Sequence, residues 1–317
     1  MPNPRHHFKR HFGFPNTGAI MGFLPDSVLH DMVATLGEFI GTFLFLFFAY
    51  AGCQVANDPS ERNGLPVEAN TLRIIYIGLS FAVSLAINSW LFYRVSGGQL
   101  NPAVTLTLYL VGAIPGRRTI TICIAQIIAG IAAAGVASCT FPGPMKVDIS
   151  LGAGTSIAQG CFIEMFTTIL LCLTVVMLAA VKHKATFLAP LGIGMALFVG
   201  HLCSVEFTGA GINPARAFGP AVVNHSFPGY HWIYWIGPLI GSLVVALFYH
   251  ILEWLDWKSA NIGQDFDDLE AQHLDSKKHT PRPNIFATSL TPDPVEPEPK
   301  LQPEEDGQGS EATTQHE

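Results

Sequence analysis

The stretch SGGQLNPA at residues 96–103 decides how this chain folds, and TGAGINPA at residues 208–215 repeats its pattern. Each copy runs from a glycine-bearing segment into an Asn-Pro-Ala triplet, first as Asn101, Pro102 and Ala103 and then as Asn213, Pro214 and Ala215. Asparagine is favoured just before a helix, and proline suits the first helical position. Each copy therefore predicts an irregular loop that turns into a short helix capped by its asparagine. A single Asn-Pro step is also an ordinary turn signal, so the repetition carries the inference.

The composition excludes an ordinary soluble domain. Of the 317 residues, 49% are hydrophobic and 13% are charged, whereas about a quarter are charged in typical soluble domains. The formal net charge of −7 arises in the tail, because residues 265–317 hold 13 acidic and four basic side chains. This acidity indicates no nucleic-acid partner, and the tail is predicted to be disordered. The six cysteines lack paired or metal-ligand spacing, so we expect no metal and no cofactor.

Six apolar runs are long enough to cross a bilayer as helices, which takes about 20 residues. They lie near residues 33–53, 72–92, 119–139, 157–181, 187–206 and 230–254. The Asn-Pro-Ala triplets open two shorter apolar stretches, near 102–110 and 214–222. At about 1.5 Å per residue, each of these reaches only about halfway across. The predicted fold is an all-α membrane protein with six transmembrane helices plus two re-entrant half-helices.

The placement of Lys and Arg in the connecting segments predicts the orientation, since these residues favour the cytoplasmic side. With the N-terminus inside, nine fall on the cytoplasmic side: Arg5, Lys9, Arg10, Arg94, Arg117, Arg118, Lys182, Lys184 and Lys258. Four fall on the outer side: Arg62, Arg73, Lys146 and Arg216. Both termini are therefore predicted to be cytoplasmic, and three spans plus a half-span recur upside down as an inverted repeat.

The predicted domain organisation follows from these spans. A cytoplasmic N-terminal segment covers residues 1–30, and a channel domain covers residues 31–257, with repeat one at 31–145 and repeat two at 155–257. A disordered, acidic cytoplasmic tail covers residues 258–317.

The two re-entrant loops predict a polar path through the membrane. Irregular backbone at membrane depth is tolerated only where it is buried in protein or lines a watery cavity. If both half-helices begin at the midplane, their positive dipole ends meet there and disfavour cations. The amide groups of Asn101 and Asn213 then become hydrogen-bond donors to a passing molecule.

At this point the chain resembles an aquaporin, of the major intrinsic protein family. The resemblance covers about residues 33–254 and rests on SGGQLNPAV at 96–104 and TGAGINPARAFGP at 208–220. The long termini resemble those of fungal members. The resemblance implies a passive water channel in the lipid bilayer, not an enzyme, assembled as a homotetramer in which each subunit has its own pore.

The resemblance also implies a narrow selectivity filter on four positions. Counted from the motifs, they are Phe81, His201, Ala210 and Arg216. An aromatic residue, a histidine, a small residue and an arginine resemble the water-selective pattern, whereas glycerol-conducting members usually carry glycine in place of His201. Ala217, which follows the arginine, also differs from the aspartate that glycerol channels typically carry there.

Two further groups of residues complete the predicted path. Water acceptors are expected from the backbone carbonyls of Gly97, Gly98, Gln99, Leu100, Gly209, Ala210, Gly211 and Ile212. Donors are expected from Asn101, Asn213, Arg216 and His201. Glu38 and Glu164 lie inside apolar spans, where a carboxylate is costly without a partner. The resemblance implies that they support the two loops by accepting backbone N–H groups.

Three other functions stay open at this point. The first is a broader facilitator of glycerol, hydrogen peroxide or other small neutral solutes; Phe81 and His201 are bulky for glycerol, but peroxide is close to water in size. The second is a coupled transporter, since such proteins also use inverted repeats and broken helices. The third is a structural junction protein between membranes. We expect the plasma membrane as the location, because the sequence carries no evident organelle address.

Overall fold

The structure is a computed structural model that describes residues 25–57 and 71–261. Most of the predicted N-terminal segment 1–30 and nearly all of the predicted tail 258–317 therefore lie outside the described residues.

Eight α-helices form the described part of the chain. Their bounds are α1 Asp26–Ala56, α2 Thr71–Phe92, α3 Pro102–Leu110, α4 Gly116–Thr140, α5 Ile157–Val175, α6 Ala189–Thr208, α7 Pro214–Val223 and α8 Ile233–Trp254. A π-helical turn, Val176–Ala180, extends α5, and a 3-10 turn, Lys184–Leu188, leads into α6. Among the described residues, six helices are long and apolar enough to span a membrane. The six spans and two half-helices predicted from the sequence are confirmed.

The first helix begins earlier than the sequence suggested. The apolar run near 33–53 and the domain start at residue 31 both fall inside α1, which begins at Asp26. Within this earlier part of the helix, the carboxylate of Asp31 accepts from Arg117 Nε at 2.7 Å and from Arg118 Nε at 2.8 Å. These pairs tie the start of α1 to α4.

Large apolar side chains point away from the bundle. Phe48 on α1 is 56% exposed and Phe166 on α5 is 63% exposed, whereas Glu38 and Glu164 are fully buried. This inside-out pattern is stable only where the surrounding solvent is itself apolar.

The helices pack as two equivalent halves. Helix α1 contacts α2 and α4, just as α5 contacts α6 and α8. Each half-helix crosses over to the other half, because α3 packs on α8 and α7 packs on α4. If each of α1–α4 is exchanged with its counterpart in α5–α8, the same contacts result, as the inverted repeat requires.

The α4–α7 crossing depends on two glycines. A Cβ atom placed on Gly219 would collide with the backbone oxygen of Gly130, and one on Gly130 would collide with the backbone oxygen of Ala215. Small residues of this kind let membrane helices approach closely.

We expect Gly219→Ala to destabilise the protein by about 1–3 kcal/mol, because the backbone of α4 must move to admit the methyl group. Gly135→Ala is the matched control, since a Cβ there meets nothing within 4 Å and alanine favours a helix. Thermal unfolding of the detergent-purified protein measures both. Equal melting temperatures for the two variants would contradict the close crossing.

Candidate functional site

The two half-helices begin where the sequence places them. Asn101 precedes α3 in an extended conformation, and its side-chain oxygen accepts from Ala103 N at 2.9 Å. Asn213 precedes α7 in the same way and accepts from Ala215 N at 2.9 Å. Both asparagines therefore act as helix caps.

The same two side chains join the loops to each other. Asn101 Nδ2 donates to the carbonyl oxygen of Ile212 at 3.1 Å, and Asn213 Nδ2 donates to that of Leu100 at 2.9 Å. The N-termini of α3 and α7 therefore meet in the protein interior. An amide nitrogen carries two hydrogens, so each asparagine keeps one donor beyond this exchange.

A buried glutamate holds each loop. Glu38 accepts from the backbone N–H groups of Gln99 at 2.9 Å and Leu100 at 2.8 Å. Ser96 Oγ and Gln126 Nε2 also donate to Glu38, at 2.7 and 2.9 Å. The costly carboxylate is thus surrounded by donors, which is the condition for keeping it at membrane depth.

Glu164 does the same for the second loop. It accepts from Gly211 N at 2.9 Å, Ile212 N at 2.5 Å and Thr208 Oγ1 at 2.7 Å. The backbone needs this support, since Ala210 and Ile212 have φ values of 57° and 56°, in the left-handed region that disfavours side chains.

A narrow channel passes the two asparagines, and the centres of water-sized spheres have only about 10 Å³ of space in it. Its lining is mostly apolar with a few polar groups, formed by Phe45, Phe81, Leu85, Gln99, Asn101, Val104, Leu171, Ile193, Leu197, His201, Gly211, Asn213 and Arg216. A second, wide cavity of about 390 Å³ shares Arg216 with it and carries Arg73, Asp148 and Glu206 in its wall.

Three of the four predicted filter residues meet where the narrow channel joins the wide cavity. The rings of Phe81 and His201 lie 4.5 Å apart between centroids, and Arg216 Cζ lies 5.1 Å from the Phe81 centroid. Their exposed fractions are 1%, 1% and 3%. The fourth, Ala210, is buried and adjoins this region along the backbone, but it is not among the residues that line the narrow channel.

Arg216 is fixed from two sides. Its Nη1 donates to the carbonyl oxygen of Val147 at 2.8 Å, and its own carbonyl accepts from Tyr50 Oη at 3.0 Å. Its Nε has no hydrogen-bond partner in the described part of the chain. A guanidinium is always charged, so this group places a fixed positive charge and an unused donor where the narrow channel meets the wide cavity.

His201 differs from the expected donor. Its Nδ1 lies 2.9 Å from the carbonyl oxygen of Leu197, which can only accept. Nδ1 therefore carries the hydrogen, and Nε2 of the neutral ring is an acceptor. Nε2 is buried and has no partner among the described residues.

The eight predicted pore carbonyls divide into two groups. Four already accept hydrogen bonds: Gly98 from Ser89 Oγ, Gly211 from Asn213 N, and Leu100 and Ile212 from the asparagine amides. The others accept none from the described part of the chain: Gly97, Gln99, Gly209 and Ala210. Of this second group, Gln99 lines the narrow channel and Gly209 lines the wide cavity, whereas Gly97 and Ala210 line neither of the two.

Sequence reasoning missed three residues that hold the site. Tyr50 and Val147 fix Arg216, and Gln126 donates to Glu38. Gln126 could have been found, because an amide inside an apolar span needs a partner. Val147 acts through its backbone oxygen, for which a sequence carries no signal.

Comparison with known proteins identifies the family. The family model described as "Major intrinsic protein" matches residues 27–249. Aquaporin-1 of Gibberella zeae is 46% identical over 273 residues, covering 84% of this chain and 85% of its own length. Aquaporin-7 of Botryotinia fuckeliana is 50% identical over 245 residues, covering 76% of this chain and 54% of its own length. The chain belongs to the major intrinsic protein family.

A solved structure supports the fold of this aquaporin-family chain. The aquaglyceroporin from Plasmodium falciparum superposes with a TM-score of 0.61 over 72% of this chain and 99% of its own, at 18% identity. At that identity the likeness concerns the fold alone. The chain spans about half the length of several fungal relatives, including Aquaporin-7 at 54% and Aquaporin-5 of Botryotinia fuckeliana at 47%.

The family is one of membrane channels. An aquaporin is an integral membrane channel for water or other small solutes, and it is not an enzyme. Six apolar spans agree with that assignment.

Proposed function

We propose that the protein is a passive, water-selective channel driven by osmotic gradients. The observation that carries this proposal is the constriction of Phe81, His201 and Arg216, in which the Phe81 ring lies 4.5 Å from the His201 ring and 5.1 Å from Arg216 Cζ. Two rigid rings leave little room for a carbon backbone, while a charged donor and an imidazole acceptor suit a single water molecule. Pore diameter and lining groups are the usual basis of selectivity in such channels.

Ion and proton exclusion would follow from the same architecture. The half-helices present their positive N-terminal ends to one another at Asn101 and Asn213, which disfavours cations in the centre. Arg216 adds a full positive charge at the constriction. The free carbonyls of Gly97, Gln99, Gly209 and Ala210 are proposed to accept from water on either side of the centre.

We also propose an orientation, a membrane and an oligomeric state for the channel. The excess of Lys and Arg on one side favours cytoplasmic termini, which puts the wide cavity outside and residues 31–145 and 155–257 in opposite orientations. We propose the plasma membrane and a homotetramer, as the resemblance to the family implies. Native mass spectrometry should then give about four times the chain mass of 34.3 kDa.

Stopped-flow light scattering of proteoliposomes tests the function directly. Water and glycerol gradients are applied to the same vesicles, with empty vesicles as the control. We expect fast shrinkage in the water experiment and a glycerol permeability no greater than that of empty vesicles. Glycerol entry would move the protein to the broader facilitators, and a peroxide uptake assay would separate water from solutes of similar size.

A further inference from the structure

Gln99 is one of the residues that line the narrow channel. It is 5% exposed and lines the channel together with Asn101 and Asn213. Its backbone N–H donates to Glu38 at 2.9 Å. The residue is therefore a fixed part of the channel wall.

The orientation of its amide is set by one neighbour. Gln99 Nε2 lies 3.5 Å from the carbonyl oxygen of Ser96, which can only accept. The nitrogen therefore belongs on that side, and the oxygen, Oε1, is the other end of the amide. Oε1 is buried and has no hydrogen-bond partner in the described part of the chain.

The position of Gln99 along the channel follows from α2. Arg73 near the start of α2 lies in the wide cavity, and Phe81 lies at the constriction. Ser89, which donates to the carbonyl of Gly98, is about 12 Å farther along the helix axis at about 1.5 Å per residue. Gln99 therefore lies in the half of the channel away from Arg216.

A buried amide oxygen without a donor is unfavourable, and native proteins rarely leave one unsatisfied. We propose that Gln99 Oε1 is an acceptor site for permeating water in the half of the channel away from the constriction, an inference that rests on the proposed water conduction. The donors of Asn101 and Asn213 attract water oxygens at the centre. A water held there points its hydrogens away from the centre, and Gln99 Oε1 accepts one of them. This hydrogen bond replaces one that the water loses on leaving bulk solvent, and it thereby favours conduction.

Gln99→Met tests the proposal, because methionine keeps an unbranched chain of similar length without the acceptor. We expect unit water permeability to fall about two- to tenfold, as for the loss of one hydrogen bond in the rate-limiting region, with a higher activation energy. Gln159→Met is the matched control, since Gln159 is exposed and caps α5 through Ser156. It should conduct as the wild type does, although its melting temperature should fall slightly because the cap with Ser156 is lost. Gln99→Met should keep the wild-type melting temperature.

A second measurement does not depend on conduction. An experimental map that resolves waters in the channel should place one within about 3.2 Å of Gln99 Oε1. Gln99→Met permeability equal to or above that of the wild type, or ordered waters elsewhere in the channel with none at Oε1, would overturn the proposal. If wild-type vesicles shrink no faster than empty ones, water conduction fails, and the map alone then decides whether Oε1 binds water.

Discussion

Replacing His201 with glycine is expected to admit glycerol. The imidazole lies 4.5 Å from the Phe81 ring and closes one side of the constriction, so its removal leaves space for a three-carbon solute beside an aromatic face. We expect glycerol permeability to rise at least about tenfold, which corresponds to a barrier lowered by about 1.4 kcal/mol. Water permeability should stay high. Stopped-flow glycerol uptake in proteoliposomes measures the change.

Val199→Gly is the matched control for this variant. Val199 lies on the same helix but is 43% exposed on its outer side, so the substitution brings the same helix penalty of about 1 kcal/mol without touching the channel. Glycerol uptake should remain at the level of empty vesicles. Comparable uptake in both variants would show that a loosened helix, rather than a widened filter, lets glycerol through.

Glu164→Ala is expected to have the largest effect on stability. The substitution leaves the buried N–H groups of Gly211 and Ile212 without an acceptor, whereas Thr208 Oγ1 can still donate to the carbonyl oxygen of Ser204 at 3.2 Å. At about 1–3 kcal/mol for each unsatisfied donor, the loss is roughly 2–6 kcal/mol, which is a large part of the stability of a typical domain. We expect little monodisperse protein on fluorescence-detected size-exclusion chromatography and no water conduction.

Two further variants serve as comparisons for Glu164→Ala. Glu164→Gln keeps one acceptor oxygen, so its yield and melting temperature should lie between those of alanine and wild type. Glu253→Ala removes a partly exposed carboxylate whose pair with Lys258 is at the surface, where ion pairs contribute little. A Glu164→Ala protein as stable as Glu253→Ala would mean that the loop does not depend on this carboxylate.

The sequence predicted the fold well because each element has a local signature. Apolar length marked the six spans, and Asn-Pro marked the start of α3 and α7 to the residue. The start of α1 had no such signature. Helix α1 begins at Asp26, before the apolar run near 33–53, and this part of it includes Asp31, which pairs with Arg117 and Arg118 of α4.

Only those parts of the site that depend on the type of side chain could be predicted from the sequence. The resemblance to the family implied Phe81, His201 and Arg216 as filter residues, and the structure brings these three side chains together. The backbone carbonyl that positions Arg216 and the choice of nitrogen that makes His201 an acceptor depend on the folded geometry alone. Which carbonyls remain free for the channel depends on it as well.

The exchange of hydrogen bonds between Asn101 and Ile212, and between Asn213 and Leu100, has a consequence for biosynthesis. The first loop cannot be completed by its own half of the chain, because its partner is made 111 residues later. At about 5–20 residues per second the ribosome takes roughly 5–20 s to supply it. During that time the first loop lacks the hydrogen bonds that the second loop supplies. A chain truncated before residue 212 never forms them, and this defect distinguishes it from a complete chain for quality control.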